Sequence, residues 1–251
     1  MKLIGIIPAR YASSRFPGKP LADIGGMTMI ERVYRQASKA LPRVIVATDD
    51  KRIFDTVAAF GAEVIMTSPD HPSGTDRVYE AYRLSGSDAD VIINIQGDEP
   101  FVEPKQILSL AGCFDNPDTD IATLIRPFDK SRGFEALEDP NLVKVVTGAD
   151  GRALYFSRSV IPFVRSCPRE EWLDKAEFFT HVGMYGYRAA TLAQIIKMKR
   201  SSLEIAESLE QLRWLQSGLT IRTAVTRFDN IGIDTPADLE EARRRLLDNQ
   251  L

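Results

Sequence analysis

Five residues near the start of the chain, Leu3-Ile4-Gly5-Ile6-Ile7, form an apolar run closed by Pro8. The run is too short for a helix and has no alternation, so it predicts a strand buried on both faces of a largely parallel sheet. Chain leaving the carboxyl end of such a strand lies where open α/β sheets take their ligands. That chain reads Pro8-Ala9-Arg10-Tyr11-Ala12-Ser13-Ser14-Arg15-Phe16-Pro17-Gly18-Lys19-Pro20. Ala12, Ser13, Ser14 and Gly18 let backbone approach an anion closely, while Arg10, Arg15 and Lys19 supply charge and, for arginine, a planar donor fork. The segment predicts a phosphate-handling loop whose guest is a nucleoside triphosphate. Neither familiar phosphate loop fits it. Lys19 is followed by Pro20 rather than Ser or Thr, and the loop has one glycine where a dinucleotide fingerprint needs three.

Downstream the chain alternates as a parallel sheet requires. Thr28 to Glu31 reads as a capping box, with Ile30, Val33, Tyr34 and Ala37 at helical spacing after it. A strand at Val44 to Ala47 ends in Thr48-Asp49-Asp50, which caps a helix bearing Ile53, Val57 and Phe60. Gly61 ends that helix, and a third strand covers Glu63 to Met66, completing βαβαβ. A helix over about 75–84 leads to the strand Val91 to Ile95 and then to Gln96-Gly97-Asp98-Glu99-Pro100. Further strands are expected at 121–125, 143–146, 153–156 and 183–187. Residues 128–141 read as irregular, and 157–180 as an excursion over the site. A helix is expected over 203–216 with Ile205, Leu209 and Leu212 in the core, then a strand at 221–225. Thr235 caps a last helix with Pro236 at its first position.

These elements predict one α/β domain over residues 1–251, a three-layer Rossmann-like fold with a mixed, mostly parallel central sheet. Its nucleotide-binding half covers about 1–125 and a sugar-binding and dimerisation part about 126–225. The 32 basic residues nearly balance 35 acidic ones, for a net charge of -3, which excludes a global basic field for nucleic acid or membrane. Cys113 and Cys167 stand in unrelated segments without metal spacing and read as free thiols in a reducing compartment. The apolar N-terminal stretch is shorter than most secretory h-regions, and no apolar run suffices to span a bilayer. The expectation is a cytoplasmic chain.

Asp98, at the end of a central strand opposite the phosphate loop, is the best candidate to share Mg²⁺ with phosphate oxygens. Asp234 is the second, because Thr235 already fits the helix cap. Asp88-Ala89-Asp90 precedes its strand and so lies at the wrong end of the sheet, as a solvated turn. Asp118-Thr119-Asp120 reads alike.

Seven blocks, in order, carry a family resemblance. They are the loop just quoted with Leu21, His71-Pro72-Ser73-Gly74-Thr75-Asp76-Arg77, Asn94-Ile95-Gln96-Gly97-Asp98-Glu99-Pro100, Leu154-Tyr155-Phe156-Ser157-Arg158, His181-Val182-Gly183-Met184-Tyr185-Gly186-Tyr187-Arg188, Leu209-Glu210-Gln211-Leu212-Arg213 and Gly232-Ile233-Asp234-Thr235-Pro236. Together they resemble the 3-deoxy-manno-octulosonate cytidylyltransferases, the CMP-Kdo synthetases of lipopolysaccharide assembly. The resemblance implies a Mg²⁺-dependent homodimer in the cytoplasm that joins CTP to Kdo and releases pyrophosphate. It implies that Arg10, Ser13 and Lys19 hold the triphosphate, and that Arg10 and Lys19 take part in catalysis with the metal ligands Asp98 and Asp234. It implies further that Ser73, Gly74 and Arg77 read the nucleoside, and that Gln96, Arg158, His181, Tyr185 and Gln211 bind the sugar. From the residues themselves, Arg158 suits a carboxylate clamp. His181 and Tyr185, four apart along a strand, share a face. Gln211 otherwise reads as a solvated flank of its helix. Remaining alternatives are an 8-amino-Kdo, sialic acid or polyol phosphate acceptor, and a GT-A glycosyltransferase. The last would carry DxD after its strand, where this chain has Gln96-Gly97-Asp98.

Overall fold

In the computed structural model, which describes residues 1–13, 15–229 and 232–248, Leu3–Ala9 is strand β1. It has a parallel neighbour on each side, which is why Ile4, Ile6 and Ile7 are at most 1% exposed. Ser14 lies outside the described residues. The chain divides into two compact units, Met1–Leu108 with Phe228–Leu251, and Ser109–Arg227. The first unit thus ends earlier than the expected half near residue 125, and it reclaims the C-terminal segment.

In the first unit β1 passes through the loop and a 3-10 turn, Lys19–Leu21, to the hairpin β2 (Asp23–Ile24) and β3 (Met27–Thr28). Thr28 caps α1 (Met29–Ala37) by accepting from the Glu31 amide, while the Glu31 carboxylate pairs with Arg35 instead of closing the expected box. Then come β4 (Val44–Thr48), α2 (Lys51–Ala59) capped by Asp50, β5 (Glu63–Met66), α3 (Gly74–Leu84) and β6 (Val91–Asn94). Strand order is β6-β1-β4-β5, all parallel. The boundary between the units falls within α4 (Pro104–Gly112).

The second unit carries β7 (Ile121–Pro127), α5 (Gly133–Glu138), β8 (Lys144–Thr147), β9 (Ala153–Ser157), α6 (Trp172–Lys175) and β10 (Phe179–Arg188). It continues with α7 (Ala189–Ile195), α8 (Ser202–Glu207), α9 (Gln211–Gln216) and β11 (Ile221–Val225). Strands β11 and β7 pair in parallel, whereas β7–β10, β10–β8 and β8–β9 are antiparallel. The two sets together make a mixed, mostly parallel α/β fold. Residues 128–141 are less irregular than expected, and the excursion has order too. Phe128, Leu137, Trp172 and Phe178 join these segments in a small core of their own.

The helix expected over 203–216 is two helices. Ser208 breaks it with φ 51°, a left-handed conformation that ends helices. Ile205, expected in the core, is 60% exposed, whereas Leu209 and Leu212 are buried. The chain finally returns to the first unit as α10 (Pro236–Leu247), where the expected cap forms: the Thr235 hydroxyl accepts from the Asp238 amide. Ile233, Leu239 and Ala242 pack there against Ile24 and Met29. No described helix is long and apolar enough to cross a membrane.

Candidate active site

The first unit holds a cavity of about 340 Å³, within the range of small-ligand sites. Its walls are the end of β1, the phosphate loop, the approach to α3 and the segment after β6, with Asp234 returning from the C-terminal segment. This is the carboxyl edge of the parallel strands, as β1 predicts. A Cβ on Gly97 would lie 2.8 Å from the Pro8 carbonyl oxygen. Glycine is needed at this position for close approach rather than for a special turn.

Lys19 organises the floor. Its Nζ donates to Asp98 Oδ2 at 2.6 Å, to Asp234 Oδ1 at 3.1 Å and to the Ile233 carbonyl at 3.1 Å. Arg15 Nη2 also lies 3.1 Å from Asp234 Oδ1. The Ile233 amide donates to the Asp98 carbonyl at 2.9 Å, tying the two acidic segments together. Asp98 and Asp234 therefore converge as expected, while Lys19, expected on a triphosphate, rests on the carboxylates. Among the described residues no cluster of three or more ligating side chains occurs.

Around this floor, Arg10 is exposed, lines the cavity and has no hydrogen-bond or ion-pair partner among the described residues. Ser13 Oγ accepts from the Phe16 amide at 3.4 Å. Ser73 caps α3, and its hydroxyl also donates to Asp76 Oδ2 at 2.6 Å. Arg77, 5% exposed, is fixed by Thr67 Oγ1 at 2.6 Å and Asp49 Oδ2 at 2.7 Å. Gly74 and Gln96 line the same cavity. His71 does too, with Nε2 2.6 Å from Glu80 Oε2. Against desolvation, the bonds from His71 and the Ser68 amide hold the Glu80 carboxyl below its usual range. Asp49, Thr67 and Glu80 are supporting residues that the sequence reading missed. Asp49 has the look of a helix cap, and the long-range pairing of the other two leaves no local signal. Asp88 and Asp90, at the opposite end of β6, are bound to the Lys2 side chain and amide. Both aspartates are exposed, as a solvated turn requires.

The remaining candidates lie in the second unit. His181 and Tyr185 share a face through a feature that spacing does not reveal. Between Val182 and Tyr185 β10 bulges, so His181 pairs with Ile125 and Tyr185 with Thr123. Four residues of regular strand span roughly 13 Å, whereas the bulge brings the two rings to 5.2 Å. Thr123, fully buried, holds the bulge closed. Its hydroxyl lies 2.8 Å from the Met184 carbonyl, 3.3 Å from that of Val182 and 2.9 Å from His181 Nε2. A hydroxyl that donates to Met184 must accept from His181, which assigns the proton to Nε2 and leaves Nδ1 as an acceptor. Loss of solvent lowers the imidazole pKa to about 4, so the ring is neutral near pH 7. Burial raises the Tyr185 phenol well above its ordinary value. Its oxygen and Trp214 Nε1 are buried without a hydrogen-bond partner among the described residues.

Arg158 departs from expectation. Its Nε, Nη1 and Nη2 donate to the carbonyls of Glu207 at 2.6 Å, Pro140 at 2.8 Å and Ser208 at 3.3 Å. The Glu207 carboxylate in turn accepts from Ser157 Oγ and the Arg158 amide. The guanidinium stitches the break between α8 and α9, leaving two of its five N–H groups for any ligand. It is not a free clamp. Gln211, at the start of α9, is 5% exposed, so the solvated-flank reading fails.

Fold and cavity define a nucleotide-dependent transferase, and the Cytidylyltransferase family model matches residues 4–221. The chain is 55% identical over 242 residues to a 3-deoxy-manno-octulosonate cytidylyltransferase of Phocaeicola vulgatus, covering 96% of each chain. It is 55% identical over 243 residues to one of Parabacteroides distasonis, covering 96% of this chain and 97% of that one. A solved CMP:2-keto-3-deoxy-manno-octonic acid synthetase complexed with CTP superposes with a TM-score of 0.91 at 43% identity, with full coverage of both chains. The chain belongs to the 3-deoxy-manno-octulosonate cytidylyltransferase family.

Proposed function

We propose that the protein transfers the cytidylyl group of CTP to the anomeric hydroxyl of Kdo, giving CMP-Kdo and pyrophosphate. The observation that carries the reading is the convergence of Asp98 and Asp234 on one cation at the floor of the cavity. The Lys19 ammonium is a stand-in there. Two carboxylates and a carbonyl that hold it are also the hard oxygen donors that Mg²⁺ prefers. Asp98 and Asp234 would hold the metal, which neutralises phosphate charge when bound. Arg10, Ser13 and Lys19 bind the triphosphate, and Ser73, Gly74 and Arg77 contact the nucleoside. Cytosine presents an amino donor and ring acceptors, which serine, arginine and backbone groups can match.

In the reaction the acceptor oxygen forms a bond to the α-phosphorus in line with the departing group. The bond from that phosphorus to the α,β-bridging oxygen breaks, pyrophosphate leaves with the electron pair, and the hydroxyl proton passes to water. Positioning and fixed charge supply the rate. For the acceptor, Gln96, His181, Tyr185 and Gln211 offer neutral hydrogen-bonding groups, and Arg158 contributes its two remaining donors. His181, neutral at pH 7, accepts a sugar hydroxyl rather than acting as a base. Identity to the curated relatives supports carrying over the family's homodimer, cytoplasmic setting and place in lipopolysaccharide assembly.

Pyrophosphate release from CTP, Mg²⁺ and an acid sugar tests the reading. Kdo is expected to react, omission of metal to stop turnover, and sialic acid to react much more slowly because a polar pocket penalises unmatched groups. Preference for sialic acid or a sugar phosphate overturns the acceptor. Asp98→Asn and Asp234→Asn should fold and lose turnover. Wild-type rates for both at saturating Mg²⁺ overturn the metal assignment.

A further inference from the structure

The cation position between Asp98 and Asp234 is already taken. Each of the three N–H donors of Lys19 has its own oxygen, on Asp98, Asp234 and Ile233, and an ammonium has no further donors to give. The Lys19 side chain is 15% exposed, so water cannot readily replace those partners. Arg15 places a second cation on Asp234. Two carboxylates thus face two cations, and the floor is electrically balanced by the chain itself. A divalent cation arriving alone has to evict an ammonium that then has no anion beside it. Because the Lys19 side chain and Asp98 are partly withdrawn from water, that separation costs more than it would in open solvent. A triphosphate removes the penalty, since it brings oxygens that Lys19 and Arg15 can take in exchange.

We infer that Lys19 is an internal counter-ion that reserves the Asp98–Asp234 pair until nucleotide arrives. The inference rests on the metal assignment proposed above. On binding, the carboxylates pass from lysine to metal while the lysine passes from carboxylate to phosphate. Metal and nucleotide therefore bind with strong positive coupling, and the empty enzyme takes up little divalent cation. Lys19 is positioned for this because it lines the cavity and begins a 3-10 turn directly after the left-handed Gly18. A purely structural lysine would show no such link to metal.

The test is Mn²⁺ binding to the full-length protein without nucleotide, read by electron paramagnetic resonance. Lys19→Met is expected to bind Mn²⁺ about 10-fold tighter than wild type or better, a coupling of the usual size. Lys19→Gln, which keeps a polar stem without charge, should shift the same way, so one misfolded variant does not end the test. Adding Asp98→Asn to either should abolish the gain. Affinity no tighter than wild type in the folded variants overturns the inference, as does a gain that survives Asp98→Asn. If the gain is absent while Asp98→Asn still abolishes turnover with Mg²⁺, the reservation is wrong and the metal assignment stands.

Discussion

Thr123→Val removes one oxygen and almost no volume. The hydroxyl is fully buried and serves the Met184 carbonyl and His181 Nε2, at 2.8 and 2.9 Å. Valine leaves both without a partner. A buried polar group stranded in this way costs about 1–3 kcal/mol. His181 is half-buried and recovers part of its share from water, so the total is about 2–4 kcal/mol. For a chain of this size that corresponds to a fall in Tm of roughly 4–16 °C. The same change frees the imidazole to adopt either tautomer and lets the bulge relax, so the His181 and Tyr185 rings lose their spacing. The expected kinetic signature is a raised KM for Kdo with KM for CTP unchanged. Urea unfolding and steady-state kinetics measure the two effects separately, and Thr123→Ser, which restores the oxygen, should rescue both. A valine variant within about 0.5 kcal/mol of wild type and with an unchanged KM for Kdo would refute the assignment of Thr123 as the clasp of β10.

Arg158→Ala should destabilise the protein by about 1–3 kcal/mol because three carbonyls lose their donor, and Arg158→Lys should not rescue it, since a compact ammonium does not reproduce the spread of the guanidinium fork over these three carbonyls. If urea unfolding shows no loss and KM for Kdo alone rises, the residue is a clamp after all. Asp49→Ala takes the carboxylate from the buried Arg77 guanidinium while leaving its bond to Thr67, and should weaken both folding, by about 3–5 kcal/mol, and CTP binding by calorimetry. Unchanged values in both assays would dismiss the anchor. For His181, a folded pKa of about 4 against 6.5 means that the unfolded chain takes up the proton first as pH falls. Its contribution to stability is complete above about pH 6.5 and disappears as pH falls toward 4. The urea midpoint of His181→Gln should therefore decline less than that of wild type between pH 7 and 4.5, and parallel declines would contradict a partly desolvated, neutral ring.

The first unit was legible because its strands are short and apolar, and because Thr28 and Asp50 announce their helix caps; the cap at Ser73 was not read. The carboxylate pair was legible for a related reason. Asp98 follows a strand, and Thr235 left Asp234 without a capping duty. What stayed hidden depends on contacts distant in sequence. The break at Ser208 falls inside a periodic apolar pattern, and its open carbonyls are satisfied by Arg158 about fifty residues away. The β10 bulge leaves the residue alternation intact, so pattern alone places His181 and Tyr185 on one face yet cannot bring them together. Thr123 reads as an ordinary β-branched strand residue until the bulge carbonyls are placed beside it.

The Lys19–Asp234 contact joins residues 215 positions apart, and that separation sets a schedule for the growing chain. At ribosomal rates of 5–20 residues per second, roughly 10 to 40 s elapse between synthesis of the lysine and of its second carboxylate. For most of that interval the phosphate loop and the first parallel strands are present, but Ile233, Leu239 and Ala242 are not yet there to cover Ile24 and Met29. A nascent chain thus carries an open apolar patch beside an unfinished nucleotide pocket. The segment that seals the patch also delivers Asp234, so maturation of the pocket and completion of that core are one event.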